Sequence, residues 1–370
     1  MSTFSDALAI KVRESFSNYY GKDNYDEFRF GAYRERDNSR LEYFKTKLRA
    51  LSSSKADRFV RQHIDTIASF MPALEQIWKN VDDSSRRVLV EVVAFRLLGH
   101  EKVKLSTNSP VYRKGISDVE KLVASDEVID PGFMHFVLRK YNLHQLGFDL
   151  TIFFTHAGVV IDYILEQYAY KQGASRIVAA EEGDVVLDIG ACWGDTALYF
   201  ASRVGKSGKV FSFEFLPGNI EIFNKNLLLN PQLAAVIEII PRPVSDESNK
   251  KVYFSNAGPG SRVSEQAFDG YFDETSTIAV DDFVLQKGID RVDFLKMDIE
   301  GAEPLALKGA LATIKKFRPK LAIAIYHGMN DFTSIPLWLM EQKLGYQFFI
   351  GHYTIHSEET VLFGLPLHHD

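Results

Sequence analysis

The sequence predicts an α/β protein: an open, mostly parallel sheet with an antiparallel edge hairpin at its carboxyl end, behind a largely helical N-terminal extension. Three observations predict it. Between residues 185 and 327, apolar runs of strand length alternate with helical patterns, the rhythm of a parallel sheet. Several of those runs end in Gly, Asp, Glu or His, residues of turns and of sites rather than of strand interiors. The last two runs, 346–353 and 360–365, have no helical pattern between them and pair as a hairpin.

Residues 1–54 are polar, with aromatics at helical spacing in Tyr19, Tyr20, Phe28, Phe30, Tyr43 and Phe44. Their expected use is core packing, and docking onto the catalytic domain or onto a partner chain is the alternative. Residues 56–80 and 84–98 have helical periodicity, interrupted at Pro72 and at the cap signal Val81-Asp-Asp-Ser-Ser85. Around residues 99–105 the period shifts toward two, which predicts a short strand. A further strand is expected over 148–155 and a helix over 159–170. Tyr163, Gln167 and Tyr170 on that helix are within reach of a ligand, although core packing is the preferred use. The expected organisation is a helical extension (1–85), an α+β cap (86–172) and a ligand-binding catalytic domain (173–370).

The most informative stretch is Val185-Val-Leu-Asp-Ile-Gly-Ala-Cys-Trp-Gly-Asp-Thr196, an apolar strand that runs into two glycines and then a helix. Gly190 and Gly194 permit backbone angles and approaches closed to other residues, and the first helical N–H groups face the turn. A dinucleotide fingerprint would need G-x-G-x-x-G, and Ala191 and Trp193 break that pattern. Asp188 and Asp195 add negative charge where a pyrophosphate would sit. They suit a ligand with cationic groups instead, such as S-adenosylmethionine, with its sulfonium and ammonium. A bare strand-turn-helix without ligand is the plain alternative.

The next strand, Lys209-Val-Phe-Ser-Phe-Glu214, ends in an acid placed to accept ribose hydroxyls. A solvated strand-end charge is the bland reading of Glu214. After a third strand at 236–240, Val244 is a candidate for apolar contact with an adenine and Ser245 or Asp246 for accepting from its exocyclic amine, although Ser245-Asp-Glu-Ser is also ordinary turn chemistry. The fourth strand delivers Met297-Asp-Ile-Glu-Gly-Ala-Glu303, with Asp298 and Glu300 at the ligand-bearing edge and Glu303 favouring the start of a helix expected over 304–316. The fifth strand, 320–327, carries His327 to the same edge. In the turn Asn256-Ala-Gly-Pro-Gly-Ser-Arg262, the Arg262 guanidinium suits an acidic substrate group, with a solvated hairpin as the equal alternative. A final helix is expected over 334–344.

Together, Asp188-x-Gly190, Glu214, the Met297–Glu303 block, Lys308-Gly-Ala310 and Tyr326-His327 resemble the FkbM family of S-adenosylmethionine-dependent methyltransferases. The resemblance implies a Rossmann-like seven-stranded methyltransferase sheet. It also implies O-methylation of a sugar, a glycan or another hydroxylated metabolite, as in polysaccharide biosynthesis. Cys192-Trp193 departs from the Asn-x usual in this turn. On this basis Asp188, Gly190, Gly194, Asp195, Glu214, Val244 and Ser245 are the expected cofactor contacts. Glu300 and Arg262 are the expected substrate contacts, and His327 with Asp298 the catalytic pair, His327 as general base. A divalent metal held by Asp298 and Glu300 is possible chemistry but not favoured. The rival classes are a nicotinamide-dependent oxidoreductase, disfavoured by the missing glycine, and a non-catalytic scaffold that keeps the fold.

Composition narrows the partners. A net charge of −6 with no basic run gives no reason to expect nucleic acid. One cysteine in 370 residues cannot form an internal disulfide, and there is neither a leader pattern nor an apolar run of membrane length. These features lead us to expect a cytoplasmic protein, with self-association through the N-terminal region as a possibility.

Overall fold

The structure, a computed structural model, describes residues 3–35, 53–173, 175–255, 261 and 263–367. Arg262 and residues 256–260, expected to overhang the site, lie outside the described residues, as do Tyr43 and Phe44. The chain divides into two compact units. One comprises Met1–Arg113, Ile325–Gln342 and Gln347–Leu362; the other comprises Lys114–Ala324, Lys343–Tyr346 and Phe363–Asp370.

A seven-stranded sheet is built from β1 (Val185–Ile189), β2 (Lys209–Phe213), β3 (Ile237–Ile240), β4 (Phe294–Met297), β5 (Lys320–Ala324), β6 (Tyr346–His352) and β7 (Thr360–Pro366), in the order β6-β7-β5-β4-β1-β2-β3. The five strands β5-β4-β1-β2-β3 run parallel, and the C-terminal pair forms the antiparallel edge, as the alternation of apolar runs predicts. Strand order reverses between β1 and β4, and that is where an open α/β sheet leaves a crevice at the carboxyl ends of its strands. Register sharpens the point. Ile323, Met297, Ile189, Phe213 and Ile240 are aligned across the five strands, so each strand's next residue stands on one crest.

Val186, Leu187 and Ile189 of β1, Phe294, Leu295 and Met297 of β4 and Leu321 to Ala324 of β5 are buried, as strands covered on both faces must be. The helix Asp195–Val204 packs Ala197, Leu198, Phe200 and Ala201 into the same core.

In the first unit, the helices Phe4–Ser15, Met71–Asn80 and Asp83–Leu98 carry the buried residues Phe4, Leu8, Leu74, Ile77, Leu89 and Val93. The interruption expected at Pro72 falls just before it: one helix ends at Asp65, and Pro72 sits in the first turn of the next, Met71–Asn80, where its missing N–H has no partner to lose. Phe28 and Phe30, expected in a core, are exposed.

Three other expectations need correction. Residues 99–105 form no strand: Gly99, at φ +74°, ends the preceding helix, and the N–H groups of Lys102 and Val103 fold back onto its carbonyl. The segment 159–170 is not one α-helix but a π-helix, Val159–Ile164, followed by a turn and the strand Tyr170–Gln172. The helix expected over 304–316 is two, Glu303–Lys308 and Leu311–Phe317, broken at Gly309, where a Cβ would lie 2.2 Å from the Ser245 carbonyl oxygen. No helix among the described residues is long and apolar enough to cross a membrane.

Candidate functional site

The turn after β1 is built from the backbone upward. Gly190 and Ala191 both donate to the Phe213 carbonyl at 3.0 Å, and Gly194 N–H closes onto Ala191 O at 2.7 Å. Gly190 has φ +91°, and a Cβ there would lie 1.8 Å from the Asp298 carbonyl oxygen. Gly194 has φ +84°, and a Cβ there would enter the Phe223 ring at 2.2 Å. Both glycines are therefore required by space as well as by angle. Cys192 itself takes φ +44°, a conformation uncommon for a residue with a side chain.

Beneath this turn lies a buried ionic layer. Asp188, at 0% exposure, accepts from Thr196 Oγ1 at 3.0 Å and Ser212 Oγ at 3.1 Å, and pairs with Lys296 Nζ at 3.3 Å. Lys296 also donates to Gly190 O and lies 5.1 Å from the centre of the Tyr168 ring. Burial would drive the Lys296 ammonium toward neutrality, but Asp188, Asp298 and Asp195 hold it above the usual lysine range. Asp188 thus sits one layer under the crest, where it fixes the turn through Thr196, Ser212 and Lys296. Its carboxylate does not face solvent.

Tyr168 completes the layer, donating its hydroxyl to Asp298 Oδ2 at 3.0 Å. Neither Lys296 nor Tyr168 belongs to the set expected from sequence. A lysine between Leu295 and Met297 in a fully buried strand was the available signal, since a lone cation there needs anions around it.

Three carboxylates stand on the crest itself. Glu214, 7% exposed, accepts from the backbone N–H of Phe215 at 2.7 Å and of Leu216 at 2.8 Å through Oε1, and from Asn219 Nδ2 at 3.1 Å through Oε2. Burial pushes its pKa up to about 7, against the opposing pull of those three donors and of Lys296. A carboxylate offers about four acceptor positions, so Glu214 as held has room for about one further donor. Asp195, at the first position of its helix, is also 7% exposed, and its Oδ1 has no hydrogen-bond partner among the described residues. Burial raises its pKa, with Lys296 opposing. Asp298 follows β4 directly, half-buried, with Tyr168 on one oxygen.

The remaining expected residues are placed as follows. Glu300 is exposed, at φ +57°, with Gly301 at +94° completing the turn that follows Asp298. Glu303 is buried and accepts the Ile299 N–H at 2.7 Å, which holds that turn shut. Val244 is buried and bridged to Ile278, and the Ser245 hydroxyl is turned to Asp246 at 3.1 Å. His327 lies in the other compact unit, two residues before the helix Met329–Glu341, with its ring 4.2 Å from that of Tyr326. Of the aromatic and amide candidates upstream, Tyr163 donates to the Asp195 carbonyl at 2.8 Å, Gln167 is buried, and the Tyr170 ring packs on Phe363.

Residues 188–348 match the family model described as the methyltransferase FkbM domain. Over that span the chain is similar to FkbM-type methyltransferases. Among solved structures, it is similar to the methyltransferase FkbM from Methylobacillus flagellatus KT, at 19% identity and a TM-score of 0.50 over 81% of this chain. The match spans 60% of that protein's length. Weaker similarities include the Aeropyrum pernix fibrillarin in complex with natively bound S-adenosyl-L-methionine (13% identity, 50% of this chain, 67% of that one, TM-score 0.33). A putative caffeoyl-CoA O-methyltransferase from Staphylococcus aureus is similar at 14% identity over 50% of this chain and 76% of that one, with a TM-score of 0.31. No curated protein matches the chain significantly.

Proposed function

We propose that this chain is an S-adenosylmethionine-dependent O-methyltransferase acting on a hydroxyl of a sugar, a glycan or another hydroxylated metabolite. The observation that carries the reading is the under-satisfied acidic crest: Asp195 with a buried oxygen awaiting a donor, and Glu214 with room for one more. Such a crest suits a ligand that brings cationic and hydroxyl donors, and it repels a pyrophosphate. The match of residues 188–348 to a methyltransferase domain supports the same conclusion.

When bound, S-adenosylmethionine supplies a methyl group activated by its sulfonium. The chain's own contribution is binding, alignment and proton removal. Glu214 accepts one ribose hydroxyl through Oε2; accepting both would require Asn219 to let go. Gly190 and Gly194 bring the turn close, with Asp188 and Lys296 fixing it from below. Val244 and Ser245 line the base, and Glu300 and Arg262 meet the acceptor. Alignment of the acceptor oxygen with the methyl carbon supplies about 7 to 11 kcal/mol of the barrier reduction. In this reading His327, three residues beyond β5, is the general base that takes the hydroxyl proton, and Asp298, directly after β4, accepts a bond from the acceptor. A placed base contributes about 10²- to 10⁴-fold.

A screen of hydroxylated acceptors for incorporation of labelled methyl tests the reading. Transfer to an oxygen is the expected result; transfer to nitrogen or carbon alone would overturn the O-methyl assignment. The His327→Ala variant should lose at least about a hundredfold in turnover with donor affinity near that of the parent, and unchanged turnover would remove His327 from the mechanism.

A further inference from the structure

Arg96 is a cation held by neutral partners. It stands in the last turn of the helix Asp83–Leu98, directly after the buried run Val92, Val93, Ala94 and Phe95. Its Nη2 donates to two carbonyls far along the chain, Tyr326 O and, at 2.9 Å, Ser357 O, and its guanidinium carbon lies 5.4 Å from the centre of the Phe332 ring. A guanidinium drawn out of water is ordinarily answered by a carboxylate. Here Glu358 and Asp331 act on it only through space, Glu358 being paired with Arg29 at 2.7 Å, and burial brings the Arg96 pKa down from its usual value. The placement costs desolvation that no direct ion pair returns, so its use must be sought in the piece of chain it fixes.

That piece is the peptide before His327. The Ile325 N–H still donates to Thr360 O at 3.0 Å, and the helix Met329–Glu341 opens with Phe332 N–H on Gly328 O at 3.1 Å, so the chain between them has left one ladder before it joins the next. In that gap the Tyr326 carbonyl and the His327 N–H share one rigid plane. Holding the carbonyl therefore sets the plane from which the His327 side chain departs. The Tyr326 ring, 4.2 Å from the imidazole, limits its swing, and the stacking on Phe332 ties the same guanidinium to the helix that follows. All of these groups belong to one compact unit.

We propose that Arg96 is a positioning residue for the transfer reaction: through the Tyr326 carbonyl it fixes the peptide that carries His327, and with it the direction in which the imidazole meets the acceptor. The inference rests on the reading of His327 as general base given above. It gives the helical N-terminal part of the chain a share in the chemistry, 230 residues away in sequence from the side chain it serves.

A double-mutant cycle on the intact chain tests it, with turnover read as labelled methyl passed to the acceptor that the screen returns. Arg96→Met should lower turnover by about 10- to 100-fold, the usual cost of a misplaced reacting group. Affinity for S-adenosylhomocysteine, measured by calorimetry, should stay within about twofold of the parent, since Arg96 acts on the base and not on the donor; this also reports that the variant is folded. In the His327→Ala background the same substitution should cost less than about twofold more, because residues that act as a unit are not additive. A structural role would instead multiply the two losses. Arg96→Lys, which keeps the charge but not the planar fork, should fall between parent and Arg96→Met, and it replaces Arg96→Met in the cycle if that variant does not fold. A readout without acceptor is NMR of the histidine-labelled chain, with the His327 signal assigned by its loss in His327→Gln. Substitution of Arg96 should move or broaden that signal and leave those of His63 and His144 in place. Unchanged turnover, multiplied losses or an unmoved His327 signal overturns the assignment. If His327→Ala itself keeps full turnover, or no acceptor is methylated by the parent protein, the reading of the base falls and takes this inference with it.

Discussion

Two buried glutamates on the same unit show the difference between a side chain that holds the fold and one that waits for a ligand. Glu166 is surrounded: Lys171 Nζ at 2.8 Å, Arg176 Nε at 3.0 Å and Nη2 at 2.8 Å, Arg203 Nη2 at 2.8 Å and the Tyr199 hydroxyl at 3.0 Å all point at its carboxylate. Burial alone would raise its pKa, but Arg176, Lys171 and Arg203 override that and bring it down to about 2. Glu214 has only neutral donors in direct contact, keeps an open acceptor position and is pushed the other way, up to about 7. Opposite shifts from similar burial mark opposite uses. The first carboxylate ties the hairpin Tyr170–Gln172/Ser175–Val178 to the helix Asp195–Val204; the second stands unsaturated on the crest of the sheet.

The comparison breaks most visibly at its saturated end. Glu166→Ala leaves three cations without their anion and should cost about 3 to 5 kcal/mol in chemical denaturation, since removing one partner strands the others. A loss within experimental error would mean the ionic knot is ornamental.

At the crest, Glu214→Ala should act on binding instead. Donor affinity should fall by about tenfold or more, the worth of one charge-assisted hydrogen bond, and the donors left without their acceptor, Leu216 N–H and Asn219 among them, should cost about 1 to 3 kcal/mol of folding stability as well, less than the loss at Glu166. Intact affinity in calorimetry would remove Glu214 from the ribose contact.

The smallest expected effect is on pH dependence, and its sign separates the two acids. Glu214 holds its proton more tightly folded than unfolded, so its contribution is fully present below 4.5 and is lost as pH rises toward about 7. Glu166 is depressed, so its contribution is present above 4.5 and is lost as pH falls toward about 2. Glu214→Gln should therefore flatten the decline in melting temperature of the free protein between those first two values while leaving the acid limb alone. A parallel shift of the whole curve would show that burial of Glu214 carries no proton linkage.

The same contrast explains what the sequence reveals and what it conceals. The strands are legible because a strand buried on both faces must be an apolar run, and the crest residues Gly190, Glu214 and Asp298 are legible because they directly follow such runs. Lys296 and Tyr168 are not, because their roles depend on partners far along the chain: Lys296 finds Asp188 across the sheet, and Tyr168 finds Asp298. Local periodicity carries no information about such pairings. The break of the helix at Gly309 has the same origin, a close approach of the Ser245 backbone that no pattern around residue 309 announces. The residues 99–105 mislead for a different reason: Val103 and Leu105 are buried alternately, which imitates a strand, while Gly99 turns the backbone.

The most direct test of the account is the choice of cofactor by the intact chain. Titrated with S-adenosylmethionine, the protein should bind and gain thermal stability, by about 2.7 kcal/mol at a hundredfold excess over Kd, while NAD and NADP leave its melting temperature unchanged. A rise with NAD or NADP and none with S-adenosylmethionine would contradict it.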